Sequence, residues 1–217
     1  YVKKVFCKIE PDYCSKIRIY ITRLPTFNAS MFPNGMMLIH TGALIVLENE
    51  AQLASLLGHE FGHFYHRHSI KRAQRQEAIN NAYAIFNNIA MIGLEYIRAN
   101  PYSYYNYDIV NVLSVGELGL MLAQLSMFQY SRDNETEADM YGLDVLKNCG
   151  YQLNEAPKKW EKLIKMYEKI DKNVNFPSFT NTHPTPKKRI SDLKERIEKN
   201  YMKKTGFLGQ HEFNSTI

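Results

Sequence analysis

The chain has 217 residues, of which 45% are apolar and 23% are charged, and its formal net charge is +5. These values are typical of a soluble globular domain with a substantial core. The positive charge is local, because residues 155–204 contain fourteen Lys and Arg against seven Asp and Glu. No recognised motif accompanies it, so we exclude nucleic acid as a partner. We interpret this charge as a solvated helical face, with docking to an anionic membrane surface as the alternative.

Two short strands are predicted near the N-terminus. Apolar residues alternate from Lys16 to Arg23, as they do in a half-buried strand. A second extended run covers Met36 to His40. The residues between them, from Asn28 to Gly35, are predicted to form a loop because they contain the turn sequence Pro-Asn-Gly.

The three cysteines do not fix the redox compartment. Cys7 and Cys14 lie close together in sequence, and both a disulfide and two free thiols are compatible with that spacing. Cys149 lies near the end of a predicted helix, so we expect it to be a small buried residue.

Helical periodicity covers most of the remaining chain. Asn49 is a predicted N-cap with Gln52 as its capping-box partner, and it begins the first long helix. Further helices are predicted over residues 70–98, 109–128 and 134–147, and from residues 155 and 186 onward. The pattern therefore predicts an α+β, mostly helical fold with a small N-terminal sheet. Residues 1–206 are predicted to form a single domain and residues 207–217 a C-terminal tail.

The longest apolar stretch runs from Ile109 to Phe128. It contains Asn111, Glu117 and Gln124, and a charged residue inside a lone spanning helix is costly. We therefore predict a buried helix of a soluble domain, with membrane insertion as the alternative.

The sequence His59-Glu60-Phe-Gly-His63 carries the clearest chemistry. A helix advances about 100° per residue, so His59 and His63 lie about 40° apart, one turn above the other. Both imidazoles can reach one zinc ion, and Glu60 lies on the same side, where it can act as general base. A core helix with two hydrogen-bonded histidines is the alternative. The absence of any other charge from Ala51 to Tyr65 argues against it, since a buried Glu needs a role.

A catalytic zinc ion takes three protein ligands and leaves its fourth position to water. The metzincin arrangement needs Gly and His at the positions that His66 and Ser69 occupy here, so it is excluded. We predict instead that Glu135 is the third ligand, on a second helix. Asp139, one turn later, would accept the outer N–H of a ligand histidine. Glu137 is expected to point elsewhere into solvent; a purely dipole-stabilising acidic turn is the alternative for the whole cluster.

These motifs resemble, in their order along the chain, the metallopeptidase family typified by HtpX, BepA and the type I CaaX prenyl protease, most closely its soluble BepA-like branch. The resemblance covers most of the chain. It rests on these segments: Asn28-Ala29, Pro33-Asn34-Gly35, Thr41-Gly42, Asn49-Glu50-Ala51, His59-Glu60-x-x-His63, Arg67-His68, Ser131-Arg132, Glu135-x-x-Ala138-Asp139, Thr182-His183-Pro184 and Arg189-Ile190. In this family the first Glu of the E-x-x-A-D motif is the third metal ligand, which implies Glu135. The resemblance also implies a zincin-like domain whose small sheet lies over the metal-binding helix.

The resemblance gives two further residues a role. His183 and Arg189 would stabilise the oxyanion that forms during peptide hydrolysis, which needs a hydrogen-bond donor or a cation. A neutral imidazole is also a zinc ligand, so His183 could instead occupy the fourth position and hold the enzyme latent. The other histidines, at positions 40, 66, 68 and 211, are expected to be structural or exposed.

The resemblance to zincins also implies that the second predicted strand forms an edge of the sheet above the metal-binding helix, where substrate could bind. An extended peptide could add to such an edge through backbone hydrogen bonds, with weak sequence preference. The residues of this predicted edge are Gly35, Met36, Met37, Leu38 and Ile39.

The sequence thus predicts a metalloendopeptidase with one Zn²⁺ per chain that cleaves unfolded or extended polypeptide. The resemblance implies misfolded or misassembled cell-envelope proteins as substrates, and a periplasmic or membrane-associated location. A prenyl-protein or amino-terminal zinc peptidase is one alternative. A catalytically silent, chaperone-like binding module is another, and Glu60 argues against it because a structural zinc needs no adjacent base.

Overall fold

The fold was obtained as a computed structural model, which describes residues 1–170, 186–200, 207–208 and 213–214. The described part of the chain is mostly helical and has one small sheet, so the predicted fold class is confirmed. The elements are α1 (Val2–Ile9), a 3₁₀ turn (Pro11–Tyr13), β1 (Arg18–Thr22), β2 (Ala29–Met31), β3 (Met36–His40), α2 (Thr41–Val46), α3 (Glu50–Tyr65), α4 (His68–Ala99), α5 (Asn106–Asn148), α6 (Glu155–Ile170) and α7 (Pro186–Asn200).

The sheet has three strands in the order β1-β3-β2. Strand β3 runs parallel to β1, with Ile19 opposite Met37, and antiparallel to β2, with Ser30 opposite Leu38. The two predicted strands are confirmed as β1 and β3. The predicted loop was wrong at Ala29–Met31, which forms β2. Three residues are too short a run to show the alternation by which a strand is recognised.

The expectation that the second predicted strand lies at an edge of the sheet was wrong. The predicted edge strand, residues 35–39, is the central strand of the sheet, because β1 and β2 pair with its two sides. Among the described residues, β2 is an outer strand and packs against α3. The free edge nearest α3 therefore belongs to β2.

Helix α3 forms the centre of the core. All its residues from Glu50 to Gly62 are buried, and it packs against α1, α6 and β2. Its predicted N-cap is present, since the Asn49 side chain accepts a hydrogen bond from the Gln52 N–H at 2.9 Å. Glu155 of α6 then accepts hydrogen bonds from the side-chain amides of Asn49 and Gln52. These buried contacts fix α6 to the start of α3.

The C-terminal part of α5 approaches α3 very closely. A Cβ atom at Gly62 would lie 3.0 Å from the Cβ atom of Tyr141, and one at Gly58 would lie 3.1 Å from the Cα atom of Gly142. Ala138, fully buried, lies in the same contact. Any larger side chain at these positions would push the two helices apart.

The contacts divide the chain into two compact units. The first, here called the catalytic unit, comprises residues 1–69 and 132–217; the second, here called the hairpin, comprises residues 70–131. The single domain expected over residues 1–206 stays a prediction. In the hairpin, the outer part of α4 packs against the first part of α5, with Gly93 facing Ile109 and Gly116 facing Phe86.

Two predictions about α5 were wrong. It is one continuous helix over Asn106–Asn148, whereas the sequence predicted separate helices over residues 109–128 and 134–147. Its apolar part was predicted to be buried, but only 6% of the most apolar 18-residue window is buried. One stripe of side chains packs against α4, and the remaining apolar side chains are exposed.

Two features stabilise the first and last parts of the catalytic unit in the sequence. Cys7 and Cys14 form a disulfide, whereas Cys149 is a free and partly buried thiol. Part of the predicted C-terminal tail also packs on the core: Phe207 stacks on Tyr151, with ring centroids 4.3 Å apart, and Phe213 is buried.

We expect Gly42→Ala to lower the free energy of unfolding by roughly 1–3 kcal/mol, the usual cost of overpacking. A Cβ atom at position 42 would lie 2.2 Å from the carbonyl oxygen of Pro25, and backbone cannot move aside cheaply. Gly119→Ala is the matched control, because a Cβ atom there meets nothing within 4 Å and alanine favours a helix. Denaturant titration of both variants measures the difference, and equal stabilities would contradict the packing described for α2.

Candidate metal centre

Three predicted ligands come together between α3 and α5. The Nε2 atoms of His59 and His63 lie 3.1 Å apart. The Glu135 carboxylate faces both, with Oε2 at 3.5 Å from Nε2 of His59 and Oε1 at 3.3 Å from Nε2 of His63. This group could hold a metal ion, and His59 and Glu135 are almost completely buried.

Glu60 lies beside this group on α3. Its side chain is 2% exposed, and Oε1 has no hydrogen-bond partner among the described residues. A buried carboxylate oxygen without a partner costs free energy, so its presence in a native core needs an explanation. The charge of Glu60 also acts on His63. A carboxylate placed in this way can take a proton from a molecule bound next to the two histidines.

Asp139 and Arg189 form a buried ion pair behind the ligands. The guanidinium of Arg189 donates two hydrogen bonds to the Asp139 carboxylate, at 2.7 and 2.6 Å. Asp139 Oδ1 also lies 3.1 Å from Nδ1 of His59. If this carboxylate accepts the Nδ1–H of His59, the lone pair of Nε2 faces Glu135 and His63.

Arg189 contacts more than Asp139. Its Nη1 lies 3.5 Å from Oε2 of Glu135, and its guanidinium carbon lies 4.1 Å from the ring centroid of Trp160. The residue is 4% exposed, so solvent screens its attraction to both carboxylates only weakly. Helix α7 thus supplies a fixed positive charge to the metal centre.

Burial and nearby charges shift the pKa values of the two ligand histidines in opposite directions. Burial and the nearby Arg189 guanidinium hold the pKa of His59 well below its usual value, so this imidazole is neutral and able to ligate. Burial, the largest influence, opposes the charged form of His63, but the hydrogen bond to Glu135 together with the charges of Glu135 and Glu60 outweighs it and raises the pKa of His63. Burial favours the protonated form of Asp139, yet the charge of Arg189 holds the pKa of Asp139 well below its usual range. The Asp139 carboxylate therefore stays ionised.

Two further residues, which the sequence analysis did not assign to the site, lie behind His63: His68 contacts it directly, and Glu137 contacts His68. Nδ1 of His68 lies 2.9 Å from Nδ1 of His63, and Nε2 of His68 lies 2.8 Å from Oε2 of Glu137. The Glu137 side chain is about half exposed, as expected, and its Oε1 also lies 3.2 Å from Nδ1 of His66. Arg67 adopts a left-handed conformation, with φ 59°, between α3 and α4. This turn brings His68 back beside His63, which helical periodicity cannot show.

A buried lysine connects α6 to the metal helix. Nζ of Lys159 donates a hydrogen bond to Oγ of Ser55 at 2.7 Å, one helical turn before His59. Burial lowers the pKa of Lys159 to about 7. The hydrogen bond offsets part of the cost of burying this amine and fixes α6 against α3.

His183 and His211 lie outside the described residues. Of the remaining predicted site residues, the structure brings together His59, Glu60, His63, Glu135, Asp139 and Arg189. The strand predicted to bind substrate, β3, lies inside the sheet as described above.

Comparison with known proteins agrees with this geometry. The chain is 27% identical to a beta-barrel assembly-enhancing protease of Yersinia pestis, over 82% of this chain and 34% of the relative. It is 28% identical to the mitochondrial metalloendopeptidase OMA1 of Schizosaccharomyces pombe, over 87% of this chain and 49% of the relative. It is 30% identical to the protein of the same name from Arabidopsis thaliana, over 79% of this chain and 30% of the relative. The chain thus spans about a third to a half of the length of these curated relatives.

The model of peptidase family M48 matches residues 11–197. This range includes the three candidate ligands, Glu60, Asp139 and Arg189. Because the match covers most of the chain and the ligand group has the geometry of a metal centre, the chain belongs to peptidase family M48.

Proposed function

We propose that the protein is a zinc-dependent metalloendopeptidase. The observation that carries this proposal is the convergence of His59, His63 and Glu135 beside Glu60, a buried carboxylate with an unpaired oxygen among the described residues. Two imidazoles and one carboxylate, with a general base next to them, are the protein groups of a hydrolytic zinc site. A structural zinc site would have four protein ligands and no such base.

The ligand distances support zinc. Tetrahedral ligands held about 2.0–2.1 Å from a zinc ion lie about 3.3 Å from one another. Here the two Nε2 atoms lie 3.1 Å apart, and Glu135 approaches each imidazole with a different carboxylate oxygen, at 3.3 Å for His63 and 3.5 Å for His59. The donor set of two nitrogens and one carboxylate oxygen also suits zinc better than magnesium or calcium, which prefer oxygen alone.

The residues of the chain then have defined roles. When bound, zinc supplies a Lewis acid and lowers the pKa of a coordinated water to about 7. The Glu60 carboxylate accepts the proton of the attacking water and returns it to the nitrogen of the leaving amine. Its burial keeps bulk water from competing for that proton.

Asp139 and Arg189 position the ligands in this proposal. Asp139 holds His59 in the tautomer whose Nε2 lone pair can bind zinc, and Arg189 compensates the charges of Asp139 and Glu135. We retain Arg189 as a residue that stabilises the oxyanion through its positive charge. We also retain His183 in one of two roles, donor to the oxyanion or occupant of the open position in a latent state.

We propose that extended polypeptide binds along β2. This strand is an outer strand of the described sheet and packs against the metal helix, whereas β3 is paired on both sides. Backbone pairing with Ala29–Met31 would hold a substrate extended near the metal centre and would favour unfolded segments. This proposed pairing of substrate with β2 replaces the pairing with residues 35–39 that the sequence predicted.

The names of the relatives support a role in protein quality control. They include proteases that enhance beta-barrel assembly and mitochondrial metalloendopeptidases. We propose that the chain cleaves misfolded or misassembled proteins at a cell envelope or organelle membrane, in a periplasmic or membrane-associated location.

We expect Glu60→Gln to lower the cleavage rate of a fluorogenic casein substrate by roughly 10²–10⁴-fold, because the amide keeps the shape but cannot accept a proton. Zinc content, measured by atomic absorption, should stay near that of the wild type. Glu48→Gln, a surface change on the same unit, is the matched control. Turnover within tenfold of the wild type in Glu60→Gln would remove this residue from its role.

We expect Glu135→Ala to weaken zinc binding more than Asp139→Asn does. The first change removes a ligand, whereas the second removes only the charge behind His59, which typically costs about 10–100-fold in metal affinity. Competition with a chelating dye measures both affinities, and thermal melting checks that both variants are folded. Equal losses in the two variants would contradict the assignment of Glu135 as the ligand.

We expect His68→Ala to lower zinc affinity by about 10–100-fold, since it removes the group that holds the outer nitrogen of His63. His66→Ala is the matched control, because His66 contacts the same Glu137 carboxylate through its own Nδ1. The control should retain the affinity of the wild type. Similar affinities for the two variants would show that the contact between His68 and His63 does not support the metal centre.

A further inference from the structure

The hairpin, residues 70–131, exposes large apolar side chains on both of its helices. Ile85, Met91 and Ile92 of α4 are 62%, 71% and 72% exposed. Val115, Leu122 and Phe128 of α5 are 71%, 57% and 63% exposed. Soluble proteins seldom expose so continuous an apolar surface without a partner.

These side chains are not the seam that joins the two helices. The seam consists of a different stripe, in which Ile79 and Leu120 are buried and Gly93 and Gly116 allow close approach of the opposite helix. The exposed apolar residues of α5 spread over roughly 200° of the helix circumference, and the seam with α4 occupies part of the remainder. A helix that is apolar on nearly all sides is typical of a membrane span rather than of a surface that docks on one protein face.

The length of the apolar segment matches a bilayer. From Ile109 to Ser131, Glu117 is the one charged residue, and at 1.5 Å per residue this segment extends about 35 Å. The hydrocarbon core of a bilayer is about 30 Å thick. The most apolar window of α5 has a mean hydropathy of 1.5 and is only 6% buried. In α4, residues 78–94 contain no charged side chain.

The two ends of the hairpin have the composition of membrane interfaces. At the turn, Tyr102, Tyr104 and Tyr105 are 100%, 86% and 63% exposed, and tyrosine is enriched where head groups meet hydrocarbon. At the opposite end, α4 carries Lys71 and Arg72, and the guanidinium of Arg75 lies over the Tyr130 ring at 4.2 Å. Cationic side chains at this end favour anionic head groups.

We propose that the hairpin inserts into a lipid bilayer, with both helices crossing the hydrocarbon and the tyrosine-rich turn at the far interface. The partner is the lipid itself, contacted by the exposed apolar side chains of α4 and α5. Insertion of the hairpin would add a specific membrane-contacting element to the proposed location, and it does not depend on peptidase activity.

Flotation of the full chain with phosphatidylcholine vesicles tests this proposal. We expect the wild type to float with these neutral vesicles and to remain bound in high salt, since insertion of apolar side chains is not screened. Binding that requires anionic lipid and is lost in high salt would overturn insertion and indicate surface docking of the basic C-terminal helices instead.

A pair of single lysine substitutions sharpens the test. Ile92→Lys places a charge on the hairpin and should weaken vesicle partitioning by roughly 100-fold. Ile45→Lys is the matched control, because Ile45 is also 72% exposed but lies in the catalytic unit. It should float like the wild type. Circular dichroism checks that both variants are folded, and equal flotation of the two would overturn the proposal.

A fluorescence measurement locates the inserted residues. The chain has one tryptophan, Trp160, which is buried in the catalytic unit. In Val115→Trp, brominated lipids should quench the added fluorescence and leave that of Trp160 unchanged. Absence of quenching would contradict insertion. One other outcome would also overturn the proposal: the wild type does not bind vesicles but forms a dimer, and Ile92→Lys dissociates that dimer. The exposed apolar surface of the hairpin would then bind a second copy of the chain.

Discussion

The close approach of α3 and α5 is the constraint on which the metal centre depends. Two ligands lie on α3 and the third on α5, so the separation of these helices sets the distance between the histidines and Glu135. Gly58, Gly62 and Gly142 provide the space for this approach. A methyl group at any of them would widen a site whose ligands must stay within a few tenths of an ångström of their positions.

Close packing brings several carboxylates into a buried region, and the fold must compensate their charge. Arg189 does so for Asp139 and Glu135, through contacts between 2.6 and 3.5 Å. A buried ion pair gains little net stability, because the cost of desolvation offsets the attraction. The benefit here lies in orientation, since the charged Asp139 fixes the ring of His59. Helix α7 thereby becomes part of the metal centre although it contributes no ligand.

The sequence could predict features that depend on residue spacing along one helix. His59, Glu60 and His63 required only the 3.6-residue period, and the N-cap at Asn49 only a local pattern. The edge of the sheet and the role of Glu137 could not be predicted in this way. Sheet order depends on which strand pairs with which, and the three-residue β2 carries almost no signal. The apolar stretch of α5 was misjudged because composition and periodicity do not show whether an apolar face is covered by other parts of the chain, and this one is exposed.

In the sequence, the hairpin lies between the two ligand histidines and Glu135. In the structure, the residues that flank it on either side lie close together. His68 and Glu137, which flank it on either side, are joined by a 2.8 Å hydrogen bond in the catalytic unit. A long insertion whose two ends meet costs little loop-closure entropy, because that cost grows only slowly with length. The same contact holds the outer nitrogen of His63 through His68. One pair of side chains therefore closes the base of the insertion and orients a metal ligand.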